Sequence, residues 1–166
     1  MKHTISVLVE NHSGVLSRIS GLFSRRGFNI ESLAVGPTND PTMSRITIIA
    51  DGNDHTVEQI EKQLNKLVEV IKVKTLEKDE CLARELLIVK IAVAAEKRSE
   101  VMTIADIVGA KVMDLTLTTM TLELCDTYAH LQRFEEILAP YNIIEMVRTG
   151  TIAISKGAET INSKNK

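Results

Sequence analysis

The chain is poor in aromatic residues and has no excess of either charge, and these two shortages exclude a class of function. Residues 1–80 and residues 81–166 each hold ten Lys or Arg and eleven Asp or Glu, so neither half offers a basic pole to phosphate. Tryptophan is absent, and few rings are left to stack on bases. The aromatic residues are Phe23, Phe28, Phe134, Tyr128 and Tyr141. We therefore expect no nucleic-acid partner.

Cysteines and long apolar runs are also scarce. Cys81 and Cys125 lie far apart, with no partner at metal-ligand or redox spacing, so we expect no metal site. Cys125 ends a predicted strand and is expected to be a small buried apolar residue. No segment approaches the roughly 20 apolar residues of a membrane span, and Glu10 interrupts the first apolar run where a signal peptide would need it unbroken. The sequence predicts a cytoplasmic protein without a membrane partner.

No catalytic constellation is apparent either. The four histidines are scattered, and none of them lies near a Ser or Cys in a nucleophile motif. There is no glycine-rich phosphate loop, and Asp126, beside Thr127, is expected to cap the last helix rather than to bind metal. We therefore expect no catalytic residues in this chain.

The apolar residues that are present change their period along the first half of the chain. Ile5, Val7 and Val9 alternate as one face of a strand does. A helical spacing follows from Val15 to Phe23 and ends at Gly27. Two further strands, a second helix and a half-exposed strand complete the order strand-helix-strand-strand-helix-strand. The second half repeats this order with little residue identity, and its last strand, residues 143–154, is expected to bend at Gly150.

This order predicts an α+β protein made of two ferredoxin-like βαββαβ domains, each an antiparallel four-stranded sheet with both helices on one face. The charged segment at residues 77–80 marks the boundary, which gives domains at 1–78 and 79–158 and a loose polar tail at 159–166. The opposite face of the first sheet is mixed in polarity, as suits a partner chain. Domains of this size also favour burial of more surface by dimerisation, so we expect a homodimer.

One loop stands out, because it leads from the first strand into the first helix through Glu10-Asn11-His12-Ser13-Gly14-Val15-Leu16. A helix N-terminus offers unpaired N–H groups and partial positive charge to a carboxylate, and a glycine allows a ligand to approach the backbone. The alternative is that Asn11 and Ser13 cap the helix and Gly14 only permits the turn. Taken alone, the residues favour this second interpretation.

The same loop carries a resemblance to a known module. A strand followed by Asn-x-x-Gly-x-Leu at a helix start, and then by Arg-Gly-Phe-Asn-Ile-Glu-Ser-Leu, resembles the ACT domain, which binds amino acids. More narrowly, the chain is similar to the regulatory small subunits of acetohydroxyacid synthase, also called acetolactate synthase, strongly before residue 90 and more loosely after it. The characteristic segments are Gly14-Val15-Leu16-Ser17-Arg18, Asn29-Ile30-Glu31-Ser32-Leu33, Asp40-Pro41-Thr42 and Arg84-Glu85-Leu86.

The resemblance implies a protein that does no chemistry itself. In that family a separate large catalytic subunit carries thiamine diphosphate, Mg²⁺ and FAD, and the small subunit activates it and makes it sensitive to a branched-chain amino acid. Valine is the most common effector, with leucine and isoleucine as alternatives, and it binds between two ACT domains of a dimer. The resemblance maps the effector site onto Asn11 with the backbone of Gly14, Val15 and Leu16 in one chain, and onto Asn29 and Ile30 of its neighbour.

Other functions remain open from the residues. A free-standing amino-acid sensor that acts on another enzyme or on a transcription regulator would need only the Asn11–Leu16 loop. An RNA-recognition module has the same element order, but it stacks bases on third-strand aromatics, whereas this strand reads Arg45-Ile46-Thr47-Ile48-Ile49. An independent enzyme is the least favoured, because no nucleophile or cofactor loop is present.

Overall fold

The computed structural model describes residues 1–162 and divides the chain into two compact units. The first unit consists of Met1–Ala83 together with the residues from Thr151 onward, and the second is Arg84–Gly150. The helices and strands are β1 (Lys2–Glu10), α1 (Val15–Arg26), β2 (Ile30–Pro37), β3 (Met43–Asp51), α2 (Asp54–Leu64), β4 (Val70–Leu76), β5 (Cys81–Ala92), α3 (Arg98–Val108), β6 (Lys111–Leu115), β7 (Thr119–Asp126), α4 (Tyr128–Leu138), β8 (Ile143–Arg148) and β9 (Ile152–Ser155).

The first unit contains an antiparallel sheet in the order β2-β3-β1-β4, with α1 and α2 packed on one face. Alternate residues of β1, such as Ile5 and Val7, are fully buried against apolar residues of the helices, among them Ile19, Phe23 and Ile60. Alternation places the apolar residues of each strand on one face of the sheet, and helical spacing places those of each helix on one stripe. The core forms where these two apolar surfaces pack together. The predicted ferredoxin-like fold is confirmed for this unit.

Two helix boundaries in the first unit follow the local chemistry read from the sequence. Gly27 ends α1 in the left-handed conformation, with φ of 68°, and its N–H donates to the carbonyls of the last turn. Asn53 begins α2, and its side chain accepts a hydrogen bond from the N–H of Thr56. Gly27 therefore determines where α1 ends, and Asn53 determines where α2 begins.

The opposite face of the first sheet is covered by the chain itself. The register aligns Ala34, Thr47, Ser6 and Lys74 across the four strands, and all four residues are buried. The Lys74 ammonium donates to a Glu159 carboxylate oxygen at 3.1 Å and to the Thr160 carbonyl at 3.3 Å. The segment after the second unit therefore lies on the face that the sequence had suggested for a partner chain.

Further contacts tie the same segment down. Ala153 of β9 clusters with Leu76 and Cys81, the Lys156 N–H donates to the Glu80 carbonyl at 2.9 Å, and Ile161 is only 7% exposed. β9 pairs with β5. The contacts of Ala153 and Lys156 lie within the first unit, so the segment is an integral part of that unit rather than an appendage.

These contacts correct the predicted domain limits. The first unit includes residues 79–83 and 151–162, whereas the sequence predicted domains at 1–78 and 79–158. The predicted loose tail at 159–166 is wrong for residues 159–161, because they bind Lys74 and bury Ile161. Residues 163–166 of that predicted tail lie outside the described residues. The reason for the error is that a short polar segment with one apolar residue carries no periodic signal, although its chain position lets it return to the sheet.

The second unit has the same architecture, with its sheet in the order β6-β7-β5-β8 and its core between this sheet and the helices α3 and α4. Leu87, Val89 and Ile91 of the central strand are fully buried in that core. Gly109 ends α3 with φ of 77°. The predicted repeat of the ferredoxin-like architecture is confirmed, although the two halves share few residues.

Three local predictions for the second half differ from the structure. Cys125 is exposed, because its position on β7 alternates with that of the core residue Leu124. Thr127, rather than Asp126, caps α4, while the Asp126 carboxylate binds the Thr127 N–H and the His130 ring. The predicted last strand is divided at Gly150, where φ is 79°, into β8 of the second unit and β9 of the first. Within residues 1–162, no helix is long and apolar enough to cross a membrane.

We expect Ile161→Ala to lower the unfolding free energy of the first unit by about 2 kcal/mol, because it removes buried methyl groups from the covered face. Urea denaturation combined with amide exchange in β1 measures this change. The matched control is Ile154→Ala, because Ile154 on β9 is 52% exposed, and it should change the unfolding free energy by less than about 0.5 kcal/mol. Equal effects of the two variants would mean that the segment is not held as described.

Candidate functional site

The first helix begins at a glycine rather than at a capping side chain. Gly14 is the N-cap residue, with φ of 90°, and no side-chain cap hydrogen bond is formed there, so the alternative in which Asn11 and Ser13 cap the helix is wrong. A β-carbon built on Gly14 would meet nothing within 4 Å. The first-turn N–H groups, which include those of Val15 and Leu16, have no acceptor within the helix, and the helix dipole places partial positive charge on them. This end of α1 is suited to an anion.

Asn11 is held in place by the loop between β2 and β3. Its backbone N–H donates to the Thr42 carbonyl at 2.8 Å, and its side-chain Nδ2 donates to the Pro41 carbonyl at 2.9 Å. The Asp40 carboxylate in turn accepts from the Thr42 hydroxyl at 2.6 Å and from its N–H at 2.9 Å, and these bonds lower the pKa of Asp40. Because the amide nitrogen of Asn11 serves Pro41, its amide oxygen is the group suited to a cationic ligand.

A charged pair braces the other side of the same loop. The Glu10 N–H donates to the Glu69 carbonyl at 3.0 Å, and the carboxylate of Glu69 forms an ion pair with the Arg18 guanidinium. Glu69 is buried, whereas Arg18 is largely exposed. Arg18 lies one helical turn after Gly14, and its own N–H donates to the Gly14 carbonyl. The loop is therefore fixed by β4, by α1 and by the β2–β3 connection.

His12 adds a titratable charge to the loop. Its Nδ1 lies 3.0 Å from the Ser13 carbonyl oxygen, and its Nε2 lies 3.0 Å from a Glu10 carboxylate oxygen. The Ser13 carbonyl, followed by the Glu10 carboxylate, raises the pKa of His12, because both acceptors favour the ring with both nitrogens protonated. The Glu69 carboxylate acts in the same direction from a greater distance. The protonated ring offsets the negative charge of Glu10 near the helix start.

The predicted site residues therefore divide into two groups. Asn11, Gly14, Val15 and Leu16 come together at the start of α1, where Val15 is buried in the core and Leu16 is 43% exposed. Leu16 thus provides apolar surface beside the exposed N–H groups.

Asn29 and Ile30 lie past the other end of α1 in the same chain. This helix has 12 residues, so its two ends are about 18 Å apart. Asn29 is exposed, and Ile30 is partly buried at the start of the edge strand β2. One chain does not bring the two groups together, and a common site requires the helix start of one copy and the β2 start of another.

Metal chemistry has no support in the described part of the chain. Among residues 1–162, no three His, Cys, Asp or Glu side chains lie close enough to hold a metal ion.

Sequence reasoning missed the residues that hold Asn11. Asp40-Pro41-Thr42 entered only as a characteristic segment, and its role depends on the antiparallel pairing that sets Glu10 opposite Met43. An Asp two residues before a Thr signals a local turn in which the carboxylate binds the backbone. The local turn could therefore be predicted from the sequence. The contact with Asn11 could not, because it depends on the register between β1 and β3.

Comparisons with known proteins show which family the chain resembles in each half. A family model described as an AHAS small subunit-like ACT domain matches residues 5–72. A second, described as the small subunit of acetolactate synthase, matches residues 84–157.

Individual relatives cover nearly the whole chain. The chain is 44% identical over 159 residues to the acetolactate synthase small subunit of Mycolicibacterium smegmatis, which covers 96% of this chain and 94% of that protein. It is 43% identical over 157 residues to the probable acetolactate synthase small subunit of Archaeoglobus fulgidus, covering 95% and 98%. The crystal structure of the acetolactate synthase small subunit from Thermotoga maritima matches with a TM-score of 0.90 at 34% identity, covering 96% of this chain and 99% of that one. The chain therefore belongs to the family of acetolactate synthase small subunits.

Proposed function

We propose that this protein is the non-catalytic regulatory subunit of an acetolactate synthase, that it activates a large catalytic subunit in the cytoplasm, and that L-valine binds it to inhibit the enzyme. The observation that carries the effector site is the start of α1, where Gly14 leaves the first-turn N–H groups without a side-chain cap. Family membership supports the partner. Thiamine diphosphate, Mg²⁺ and FAD are then cofactors of the large subunit, and this chain needs none of its own.

The α-carboxylate of the effector binds at the start of α1. The N–H groups of Val15 and Leu16 donate to it, and the helix dipole favours its negative charge. A side chain at position 14 would approach this anion, which explains why the position is occupied by a glycine with open space in front of it.

The ammonium and the aliphatic group of the effector find different partners. The side-chain nitrogen and the backbone N–H of Asn11 donate to Pro41 and Thr42, which leaves its amide oxygen to accept a hydrogen bond from the ammonium. The exposed side chain of Leu16 and the side chain of Ile30 of a second copy cover the isopropyl group. Burial of a side chain of this size contributes about 1.5–3 kcal/mol, so leucine and isoleucine are weaker competitors rather than excluded ligands.

The site is shared between two chains of a homodimer. Because Asn29 and Ile30 follow the far end of a helix about 18 Å long, the two halves meet only when two copies pair. β2, which carries Ile30, is an edge strand of the first sheet. An edge strand has unpaired backbone groups on one side, so it is suited to pairing with the same strand of a second copy.

Regulation follows from linkage. Valine shifts the small subunit only by binding one arrangement of the dimer better than another. If the large subunit prefers the other arrangement, valine and the large subunit weaken each other's binding by the same factor, which corresponds to a coupling of about 1–3 kcal/mol.

The proposed function is tested by reconstitution. The purified protein should show no acetolactate synthesis from pyruvate, should increase the rate of an acetolactate synthase large subunit, and should make that rate sensitive to valine. A protein that binds valine but copurifies with another enzyme or with a transcription regulator would instead be a free-standing sensor.

We expect Gly14→Asp to lower the affinity for valine at least tenfold, because its carboxylate repels that of the effector at the helix start. Calorimetry with L-valine measures the change. The matched control is Gly14→Asn, which has a similar shape and the same strained φ of 90° but no charge, and which should bind valine more tightly than the Asp variant. Unchanged affinity of Gly14→Asp would place the carboxylate elsewhere.

We expect Asn29→Ala to weaken valine binding about five- to tenfold without dissociating the dimer, because one hydrogen bond to the effector is lost. Calorimetry gives the affinity, and sedimentation gives the oligomeric state. Asn65→Ala is the control, since Asn65 is an exposed asparagine at the end of α2, outside the proposed site. If both variants bind valine like the unmodified protein, Asn29 does not contact the effector.

We expect valine affinity to fall about two- to threefold as the pH rises through the raised pKa of His12, from about pH 6 to about pH 8.5. Below that pKa the imidazolium offsets Glu10, and above it the Glu10 carboxylate stands uncompensated near the bound anion. His12→Gln should remove this pH dependence, whereas His55→Gln, on the exposed start of α2, should retain it. Calorimetry at several pH values distinguishes the two.

A further inference from the structure

The strand that carries Ile30 is bonded to the segment that returns from the second unit. The N–H of Thr151 donates to the hydroxyl of Ser32 at 3.0 Å, across 119 positions of sequence. Ser32 lies two residues after Ile30 on β2, beyond a register shift at which Glu31 is left out of the pairing with β3. Its side chain lies on the covered face of the sheet, in the row of Ile49, so it does not face the effector.

Thr149, two residues before Thr151, is also held by hydrogen bonds. The Thr149 N–H donates to the Leu86 carbonyl at 3.1 Å, and the Thr149 hydroxyl accepts from the Leu86 N–H at 3.1 Å. Thr149 belongs to the second unit, and Thr151 belongs to the first. Gly150, with φ of 79°, is the single residue between the two fixed points. Thr151 is therefore separated by one residue, Gly150, from the hydrogen bonds that hold Thr149 to Leu86 of β5.

We propose that Ser32 is a positioning residue that transmits the effector-bound position of β2 to the second unit through Thr151 and Gly150. This inference rests on the proposed function, because it assumes that valine acts on Asn29 and Ile30. Ser32 and Ile30 belong to the same strand and are separated by one residue, so a shift of β2 as a whole moves the Ser32 hydroxyl together with Ile30. Hydrogen-bond energy falls steeply with distance and angle, so Thr151 must follow Ser32 or lose its acceptor.

The hydroxyl of Ser32 is needed for this role. Thr151 is 7% exposed, and a buried N–H without an acceptor is unfavourable, so the bond restricts where this residue can lie. Lys74 anchors the same segment farther along, at Glu159 and Thr160, but it lies on β4, at the opposite edge of the sheet from β2. Only the Ser32 contact joins the segment directly to the strand of the proposed effector site, among the hydrogen bonds described here for residues 151–162.

The chain offers a matched control on the same face. Ser6 lies in the buried row with Thr47 and Lys74, is fully buried, and its hydroxyl has no hydrogen-bond partner within the described structure. Ser6→Ala therefore removes the same hydroxyl at a more deeply buried site of the same face without removing a contact to the returning segment. Ser32→Thr keeps the hydroxyl and suits an edge strand, so it serves as the conservative rescue.

The experiment compares binding with inhibition in full-length protein reconstituted with an acetolactate synthase large subunit. For Ser32→Ala we expect a valine dissociation constant within twofold of the unmodified protein, unchanged activation without valine, and a loss of at least half of the maximal inhibition. Ser32→Thr should restore the inhibition, and Ser6→Ala should not lose it. A second measurement uses the unmodified protein and so does not depend on the folding of any variant. We expect valine to slow the amide hydrogen exchange of Thr151 at least fivefold.

The outcomes separate this inference from the proposed function. Full inhibition of Ser32→Ala by valine, or exchange at Thr151 that valine does not change, would overturn the role of Ser32 while the effector site stands. Absence of valine binding by the unmodified protein would overturn the proposed function and, with it, this inference.

Discussion

The proposed site depends on one constraint, the left-handed conformation of Gly14 at the start of α1. With φ of 90°, this residue turns the chain into the helix without offering a side chain to the first-turn N–H groups. In α2 and α4 an Asn or Thr side chain supplies that acceptor. At α1 the acceptor must come from water or from a ligand, and the open space in front of Gly14 admits either.

Local bonding makes this arrangement rigid before any ligand arrives. Asn11 is bonded to Pro41 and Thr42, and Glu10 is bonded to Glu69, so two separate parts of the chain hold the loop. A preorganised site loses little conformational entropy on binding, which matters for a ligand as small as an amino acid. The Asp40 carboxylate contributes only indirectly, because it shapes the turn that presents the Pro41 and Thr42 carbonyls.

Sequence reasoning reached the fold, but it failed where distant segments meet. The alternation of apolar residues predicts β1, and the helical spacing predicts α1. The resemblance to the family, rather than any pattern, pointed to Asn11 and Asn29 as effector-site residues. The burial of Lys74 and Ile161 could not be predicted, since a lysine in a strand and a lone isoleucine in a polar tail both indicate exposure. Cys125 was assigned to the wrong face because one residue of register decides between core and solvent.

The interrupted path of the first unit gives regulation a physical route. The chain leaves this unit after Ala83 and re-enters it at Thr151, so the second unit is an insertion whose two ends are both attached to one sheet. The Lys156 N–H bonds the Glu80 carbonyl, which ties the returning strand to the departing one. The returning attachment reaches β2 through the hydrogen bond between Thr151 and Ser32, and the departing one continues as β5. Two tandem domains of the same fold, in which the chain did not return to the first unit, would share this architecture. They would lack the hydrogen bond between the returning segment and β2.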